Sequence, residues 1–500
     1  MGTVSEFSKG NSIHMSLIIL FALFFSCISG SREFNFHVQT WEPHNNVGDM
    51  ILQEIFYKEL AYYHNNTNLS LKPPYHAQYF MYTGGSILNP NEKDIFFYLN
   101  REPLFLHGTG FDDNYYNVRF DKHREFIYNY RTYTSGVPGF AAGLKPLLKA
   151  LPSKIFGGVR GPLTKFILQL HDKTQNVNVI GDSGLLAGLA YQAHHISIDS
   201  KKERFPDARL IAGINIGEAS LPIWHINREN MINRTGDAMI ELWNRGYTIV
   251  TFLYRPKDIP IYKELIKYVV DKNSTVLDDR FFEEGGIWEY TSESAIQLFG
   301  YFDIVVGMKL HSAVFAAATE VPFLVWRYRM KIQDFIDYIK QPHLVLDDLV
   351  ATPEDMKGKI DYIIDNELLL KQSFKSAIRL TADLHNCAWL NYTNVHTPVN
   401  VPDLCKTVSW DNYDGMTYRT HHYNSLILKY RFEKDMIPNI NKDHEQKKPV
   451  GRTLNVPLTV IFFFIGFYAS FDIYRATYFP KTKGKKKSNF SVMIGHKKAI

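Results

Sequence analysis

Short runs of consecutive apolar residues alternate, between residues 209 and 327, with longer segments whose apolar positions recur at helical spacing. The runs predict strands at residues 210–216, 247–254, 302–309 and 322–327. The segments between them predict helices at residues 228–245, 259–270 and 310–320. Continuous apolar strands separated by helices are typical of a parallel sheet that helices cover on both faces. This pattern therefore predicts a Rossmann-like domain.

The N-terminal half has a similar but less regular pattern. It predicts strands at residues 34–40, 79–82, 103–107 and 177–181, and helices at residues 48–60 and 162–169. We therefore predict an α/β fold with two Rossmann-like domains, residues 31–200 and 201–385, facing each other across a cleft. Ligands of open α/β sheets bind beyond the carboxyl ends of the strands. The residues that follow each strand are accordingly the first candidates for a functional site.

The two ends of the chain have the composition of targeting segments. The apolar run at residues 16–27 predicts a signal peptide over residues 1–30, with an uncleaved anchor as the alternative. Residues 386–453 predict a packing extension and a stalk, and residues 454–474 a transmembrane helix, with a buried core helix as the alternative. The basic tail at residues 475–500 places that flank in the cytosol, which gives a single-pass type I topology.

The net charge of +5 comes from this tail. Residues 475–500 hold eight Lys or Arg and no Asp or Glu, so the rest of the chain carries −3. Nucleic-acid binding needs positive charge on the folded surface, and we therefore predict none. Lys497 and Lys498, fourth and third from the end, resemble the dilysine retrieval signal of endoplasmic-reticulum membrane proteins. Recognition by coat proteins, and residence in the endoplasmic reticulum or early Golgi membrane with a lumenal body, are the corresponding predictions.

Further residues are consistent with a lumenal body. Cys387 and Cys405 remain as an even pair once Cys27 is assigned to the signal peptide, which predicts one disulfide. The histidines around them, including His385, fit no zinc-binding spacing, so we interpret them as surface residues and predict no metal site. Sequons for N-glycosylation occur at Asn65, Asn68, Asn233, Asn273 and Asn391.

Glycine, basic and histidine residues cluster where the predicted strands end. The motifs, in chain order, are N-V-G-D at residues 46–49, H-G-T-G-F at 107–111, V-R-G-P-L-T at 159–164, G-D-S-G-L-L at 181–186, K-L-H-S-A at 309–313, and V-P followed by Y-R-M-K-I-Q-D-F at 321–335. A helix N-terminus with a nearby glycine is an anion site or an ordinary helix cap. A lysine and a histidine two residues apart after a buried strand indicate chemistry rather than packing, although a structural histidine is the alternative.

Taken in order, these motifs resemble those of the polysaccharide pyruvyl transferase family, over roughly residues 40–340. The resemblance implies a fold like that of the two-domain glycosyltransferases (GT-B-like). It also implies transfer of the enolpyruvyl-derived group of phosphoenolpyruvate onto a sugar, usually as a cyclic ketal across two hydroxyls. Phosphoenolpyruvate and a glycan are then the substrates, and no further cofactor is needed.

The same resemblance implies roles for individual residues. His311 is the expected general acid and base, and Lys309 the contact to the anionic donor, because an imidazole suits proton transfer and a cation suits the anion. Asn46, Gly48, Asp49, Gly108, Gly110, Arg160 and Lys331 are the further donor-binding candidates.

Two positions depart from the pattern of the family. Lys309 stands where Arg is common, and residues 213–218 lack the arginine that many members carry at the end of the first strand of the second domain. Two other functions therefore stay open. One is a glycosyltransferase of the same architecture that uses a nucleotide sugar, and the other is a catalytically silent relative that binds glycans or proteins.

Overall fold

The computed structural model describes fourteen segments of the chain. They are residues 34–40, 47–63, 69–71, 79–83, 104–110, 155–171, 177–193, 196, 198–206, 208–218, 228–278, 280–347, 351–396 and 400–416. All of them lie within one compact unit.

The first half of the described chain forms a six-stranded sheet with the strand order β2-β1-β3-β4-β5-β6. All five strand pairs are parallel. The strands are β1 Phe34–Thr40, β2 Leu69–Leu71, β3 Tyr79–Thr83, β4 Leu104–Thr109, β5 Ile155–Val159 and β6 Asn178–Val179. The sequence pattern missed β2 and β5, which are short or glycine-rich.

The second half forms another six-stranded parallel sheet, with the order β9-β8-β7-β10-β11-β12. This is the strand order of a Rossmann sheet. The strands are β7 Leu210–Asn215, β8 Tyr247–Leu253, β9 Phe281–Gly286, β10 Ile304–Gly307, β11 Phe323–Arg327 and β12 Val345–Asp347. The predicted α/β class with two parallel sheets is confirmed.

Helices connect the strands and cover the sheets. In chain order they are α1 Val47–Tyr63, α2 Pro162–His171, α3 Ala187–Tyr191, α4 Ile198–Arg204, α5 Arg228–Asn244, α6 Ile259–Asn273, α7 Ser292–Tyr301, α8 Leu310–Ala318, α9 Met330–Ile339, α10 Pro353–Asp365, α11 Glu367–His396 and α12 Leu404–Thr407. Local sequence explains their starts: α2 opens with Pro162, and Thr352 and Asp355 form a capping box at α10.

Helix α11 returns the chain from the second sheet to the first. Its aromatic residues Trp389 and Tyr392 are buried against Phe105 of β4 and Phe56 of α1. The expected domain boundary at residue 385 therefore falls inside a continuous helix. His385, which we interpreted as a surface residue, is fully buried in the same place, so that interpretation is wrong. A disulfide joins Cys387 of α11 to Cys405 of α12.

Several sequence-based predictions lie outside the described residues. These are the signal peptide, the stalk, the transmembrane segment at residues 454–474, the basic tail, Asn46, and the sequons at Asn65 and Asn68. Among the residues that are described, no helix combines the length and the apolar character needed to cross a bilayer.

Candidate functional site

His311 lies in the first turn of α8, directly after β10. Every residue of this helix is buried. Asn215, at the end of the neighbouring β7, holds the start of the helix: its side-chain oxygen accepts hydrogen bonds from Ser312 Oγ at 2.9 Å and from the Lys309 backbone N–H at 3.4 Å. Strands β7 and β10 are the pair at which the strand order reverses, which is where ligands of such sheets bind.

Gly48, at the start of α1, brings the first sheet directly against His311. A Cβ atom at Gly48 would lie 1.8 Å from His311 Nδ1, so only glycine fits there. The N-termini of α1, which follows β1, and of α8, which follows β10, are therefore in direct contact. Because β1 and β3 form the reversal point of the first sheet, the ligand-binding ends of both sheets meet there.

Burial determines the protonation of His311. Its ring stacks on Phe315, with 5.5 Å between the ring centroids. Burial lowers the pKa of His311 to about 3; Asp182 acts in the opposite direction, and Lys331, Arg160 and Arg255 lower the pKa further. Its Nε2 atom has no hydrogen-bond partner among the described residues. His311 is therefore a neutral imidazole at physiological pH, with one ring nitrogen available to a ligand.

Lys309 lies two residues before His311 and is partly buried. Its ammonium group donates to the Glu218 carbonyl oxygen at 2.6 Å and lies 3.4 Å from the Asp258 carboxylate. Gly217 makes room for it, because a Cβ there would lie 2.0 Å from Lys309 Cε. Burial lowers the pKa of Lys309 to about 7, although Asp258 favours the charged form.

Asp49 and Arg160 contribute opposite charges from the first sheet. Burial raises the pKa of Asp49 to about 6, and Lys331, Arg160 and Arg255 oppose this rise. Arg160 is fully buried and pairs with Asp182 at 2.7 Å between Nε and Oδ2. Gly110 packs against the Arg160 guanidinium, where a Cβ would lie 2.6 Å from Nη1.

A side chain of the second sheet orders the region around Arg160. Asp334 of α9 accepts hydrogen bonds from the backbone N–H groups of Leu163 and Thr164 and from Thr164 Oγ1, at 2.8, 3.2 and 2.6 Å. It therefore caps α2 from the opposite half of the molecule. Lys331 lies in the first turn of the same helix.

The structure thus brings seven of the nine predicted catalytic and donor-binding residues into one region. They are His311, Lys309, Gly48, Asp49, Gly110, Arg160 and Lys331. Gly108 has a φ of 65° and packs against the Gly181 carbonyl oxygen, so it supports the loop rather than facing His311. Asn46 is the ninth and lies outside the described residues.

Sequence reasoning missed Arg255 and Asp258, and it quoted Asp182 in the G-D-S-G-L-L motif without giving it a role. Arg255 follows β8, and its guanidinium donates to the Glu218 carbonyl oxygen at 3.0 Å, the same acceptor that Lys309 uses. Asp258 lies between these two cations, and Asp182 pairs with Arg160. The sequence signal that could have identified Arg255 is its position directly after the buried strand β8. We had considered only the end of β7, where many family members carry an arginine.

Three of the predicted glycosylation residues are described. Asn391 is exposed on α11, whereas Asn233 and Asn273 are partly exposed on helices. The Asn273 side-chain oxygen accepts from Thr275 N–H at 3.2 Å and from Thr275 Oγ1 at 2.6 Å.

The arrangement combines a neutral imidazole with several cations in a region of low solvent exposure. Such a site is suited to holding a small anion while moving a proton beside it. Two parallel sheets whose ligand-binding ends meet at this site place the protein in the two-sheet α/β class.

The model of the family described as polysaccharide pyruvyl transferase matches residues 46–329, more than half of the chain. The chain belongs to this family. A comparison with curated proteins found no similar sequence.

Several solved structures have a similar fold at low sequence identity. One is the MnaA–UDP co-structure from S. aureus, 11% identical, covering 74% of this chain and 99% of that one with a TM-score of 0.43. Another is a putative UDP-N-acetylglucosamine 2-epimerase from Listeria monocytogenes, 9% identical, covering 74% and 98% with a TM-score of 0.45. A third is a glycosyltransferase from Rickettsia africae ESF-5, 11% identical, covering 69% and 80% with a TM-score of 0.38. Likeness at this level carries no argument about substrate.

Proposed function

We propose that the protein transfers the enolpyruvyl-derived group of phosphoenolpyruvate onto a pair of glycan hydroxyls, forming a ketal and releasing phosphate. The observation that carries the proposal is the placement of His311: a buried, neutral imidazole in direct contact with Gly48, which senses the charges of Asp182, Lys331, Arg160 and Arg255. The donor carries a carboxylate and a phosphate, and the cations of the site are the groups that can bind them. Membership of the pyruvyl transferase family supports the same reaction class.

The neutral His311 imidazole is able to accept a proton, and its low pKa makes the protonated form a strong proton donor. The neutral imidazole takes the proton of the first sugar hydroxyl as that oxygen bonds to C2 of the donor. In the same addition this proton passes from the imidazole to the methylene carbon: the electrons of the C2–C3 π bond form the new C–H bond, and the carbon becomes a methyl group. Phosphate leaves with the electrons of the bond from C2 to oxygen, the second hydroxyl adds to C2, and its proton leaves with the phosphate. No other cofactor enters this sequence.

Lys309 and Arg255 are the proposed contacts to the departing phosphate. Both donate to the Glu218 carbonyl oxygen and lie within 3.4 Å of Asp258, so the two cations are held side by side. Arg255 takes the place of the arginine that we expected after β7. A second cation beside Lys309 offsets the loss of bidentate geometry that lysine brings.

The test is an assay of the full-length protein, purified in detergent, with phosphoenolpyruvate and a panel of galactosides and other hexosides. Mass spectrometry measures the gain of a pyruvate ketal on the acceptor, and a parallel assay measures phosphate. We expect a product that His311→Ala abolishes and that His343→Ala, which removes an exposed histidine, leaves in place. A product from nucleotide sugars and none from phosphoenolpyruvate would identify a glycosyltransferase. Absence of both products and of donor binding would leave a glycan- or protein-binding relative.

We further propose that the body acts in the lumen of the endoplasmic reticulum or early Golgi, held by a single type I membrane span. The disulfide and the exposed Asn391 are compatible with that compartment.

Glycosidase treatment should lower the apparent mass of the native protein, and protease added to sealed microsomes should remove only the tail. Replacement of Lys497 and Lys498 by Ser should move the protein forward in the pathway if coat proteins recognise them. Full digestion of the body outside the vesicles would contradict the topology.

A further inference from the structure

A second cluster of ionisable side chains lies behind the candidate site. Glu59 of α1, His107 of β4 and His385 of α11 are all fully buried, and one potential ligand atom from each lies within 4.8 Å of the others. His107 Nε2 contacts Glu59 Oε2, and His385 Nδ1 lies 3.5 Å from the same oxygen. The rings of the two histidines are 4.7 Å apart, nearly perpendicular.

Three nitrogen atoms lie around the same carboxylate oxygen. Trp389 Nε1 donates to Glu59 Oε2 at 3.0 Å, and His107 Nε2 contacts it. These two contacts account for the roughly two lone pairs of the oxygen, and His385 Nδ1, at 3.5 Å, is farther away than in a normal hydrogen bond. A cation between the carboxylate and the two rings would bind all three groups, and Trp389 would keep its hydrogen bond.

A contact with Thr83 also orients the His107 ring, so that its Nε2 atom faces Glu59 and His385. Thr83 Oγ1 lies 2.9 Å from His107 Nδ1. A hydrogen bond from Nδ1–H to this hydroxyl leaves the Nε2 lone pair facing Glu59 and His385. In metal sites, the ring nitrogen of a ligating histidine that does not bind the metal usually donates a hydrogen bond to a neighbouring group in this way.

From this geometry we infer that Glu59, His107 and His385 form a buried site for a divalent transition metal, with zinc as the expected ion. Two imidazoles and one carboxylate supply three of the four ligands of a tetrahedral zinc ion, whereas calcium and magnesium prefer oxygen ligands. The 3.5 Å between His385 Nδ1 and Glu59 Oε2 is close to the separation of about 3.3 Å that ligands 2.0–2.1 Å from a tetrahedral ion require. His107 Nε2 and Glu59 Oε2 would move apart to reach that separation.

The position of the cluster gives such an ion a structural role. It would join α1, β4 and α11, three elements that are distant in sequence. His107 is followed by Gly108 and by Gly110, which packs against Arg160. An ion here would therefore hold the loop that supports the arginine without touching the substrate.

The first experiment measures the metal content of the full-length wild-type protein after exhaustive dialysis against metal-free buffer. Inductively coupled plasma mass spectrometry should find about one zinc, or another divalent transition metal, per chain. X-ray absorption at the edge of that metal should show scattering from two imidazoles. A strong transition-metal chelator should lower the melting temperature, and zinc but not calcium or magnesium should restore it. The inference would be overturned if the wild-type protein contained no stoichiometric metal and the chelator did not change its melting temperature. The cluster would then be a buried hydrogen-bond network.

The second experiment compares His385→Asn and Glu59→Gln with His343→Asn, which changes an exposed histidine. The first two should lose the metal, and the third should keep it. Metal retained in both cluster variants would also overturn the inference. If either cluster variant fails to fold, the wild-type metal content and absorption spectrum decide by themselves. Neither measurement depends on an activity assay, so failure here is distinguishable from failure of the proposed transferase function.

Discussion

Burial sets the protonation states on which His311, Lys309 and Asp49 depend. Taking a charged group out of water disfavours its charged form, so the pKa of a lysine or histidine falls and that of an aspartate rises. Both directions occur in the site: the pKa values of His311 and Lys309 fall to about 3 and 7, and that of Asp49 rises to about 6. Each shift gives a measurable pH dependence.

For Lys309, the expected consequence is a loss of activity on the alkaline side. The ammonium is needed to hold the donor anion, and it is charged only below a pKa of about 7. The kcat/KM for phosphoenolpyruvate should therefore fall about tenfold per pH unit above pH 7. In Lys309→Arg, whose guanidinium stays charged, this decline should shift by at least two pH units. Lys309→Met, the uncharged control, should be slow throughout. A decline at the same pH in the arginine variant would mean that another group controls it.

For Asp49, the expected consequence concerns stability. Its pKa is about 6 in the folded state and 3.8 unfolded, so the folded state binds more protons between these values and stability falls as pH rises through them. Above pH 6 the charged carboxylate costs roughly 3 kcal/mol. Asp49→Asn should therefore raise the free energy of unfolding at pH 8 by up to that amount and have little effect at pH 3.5. Chemical denaturation at both pH values measures this, and equal effects at the two would contradict it.

Gly48 and Gly358 provide a matched test of the contact between the two sheets. A methyl group at Gly48 would collide with the His311 ring, with 1.8 Å between Cβ and Nδ1, whereas at Gly358 in α10 nothing lies within 4 Å. Gly48→Ala should lower kcat by at least about 100-fold, because a misplaced catalytic group is that costly. Gly358→Ala should leave kcat unchanged and stabilise its helix by about 0.5–1 kcal/mol. Unchanged kcat in Gly48→Ala would show that His311 does not act from this position.

Helix α2 depends on a cap that comes from outside its own half of the chain. Its first residues lack a capping side chain next to them in sequence, and Asp334 of α9 supplies the acceptor instead. Because burial raises the pKa of Asp334 to about 6, the charge contributes less than the oxygen atoms do.

Removing that cap should therefore be costly, and neutralising it should not. Asp334→Ala should lower the free energy of unfolding by about 1–3 kcal/mol, since it leaves two buried N–H groups without an acceptor. Asp334→Asn keeps one acceptor oxygen and should lose less than half of that. Both are measurable by denaturant titration at pH 7, and equal losses would show that the negative charge is what stabilises α2.

The two sheets are joined by elements that cross between them, above all α11. This helix starts beside the second sheet and buries Trp389 against β4 of the first. The disulfide from Cys387 to Cys405 attaches the following segment to it.

Reduction of this disulfide should destabilise the protein without abolishing the fold. The two cysteines are 18 residues apart, and closing a loop of this length stabilises by about 3 kcal/mol in the chain-entropy account. The paired substitution of Ser for Cys387 and Cys405 should lower the free energy of unfolding by that order. A thiol reagent applied to the denatured but unreduced wild-type protein should label neither Cys387 nor Cys405. Labelling of both would contradict an oxidised pair.

The sequence by itself predicted most strands and helices, because burial on both faces forces continuous apolar strands and amphipathic helices into the local pattern. It also singled out His311, Lys309, Asp49 and Arg160 as candidates, since they follow predicted strand ends and lie in motifs that resemble those of the pyruvyl transferase family. Short strands such as β2 were missed because three residues are too few to show a repeating pattern of apolar and polar positions.

Only the tertiary structure determined which strand ends meet. Arg255 joins Lys309 at one carbonyl oxygen although 54 residues separate them in the printed sequence, and Asp334 caps a helix of the other half. Glu59, His107 and His385 converge from three elements, so no local spacing could reveal them. The pKa values likewise depend on burial and on neighbouring charges. Such properties arise from contacts between segments far apart in the chain, and a linear pattern does not contain them.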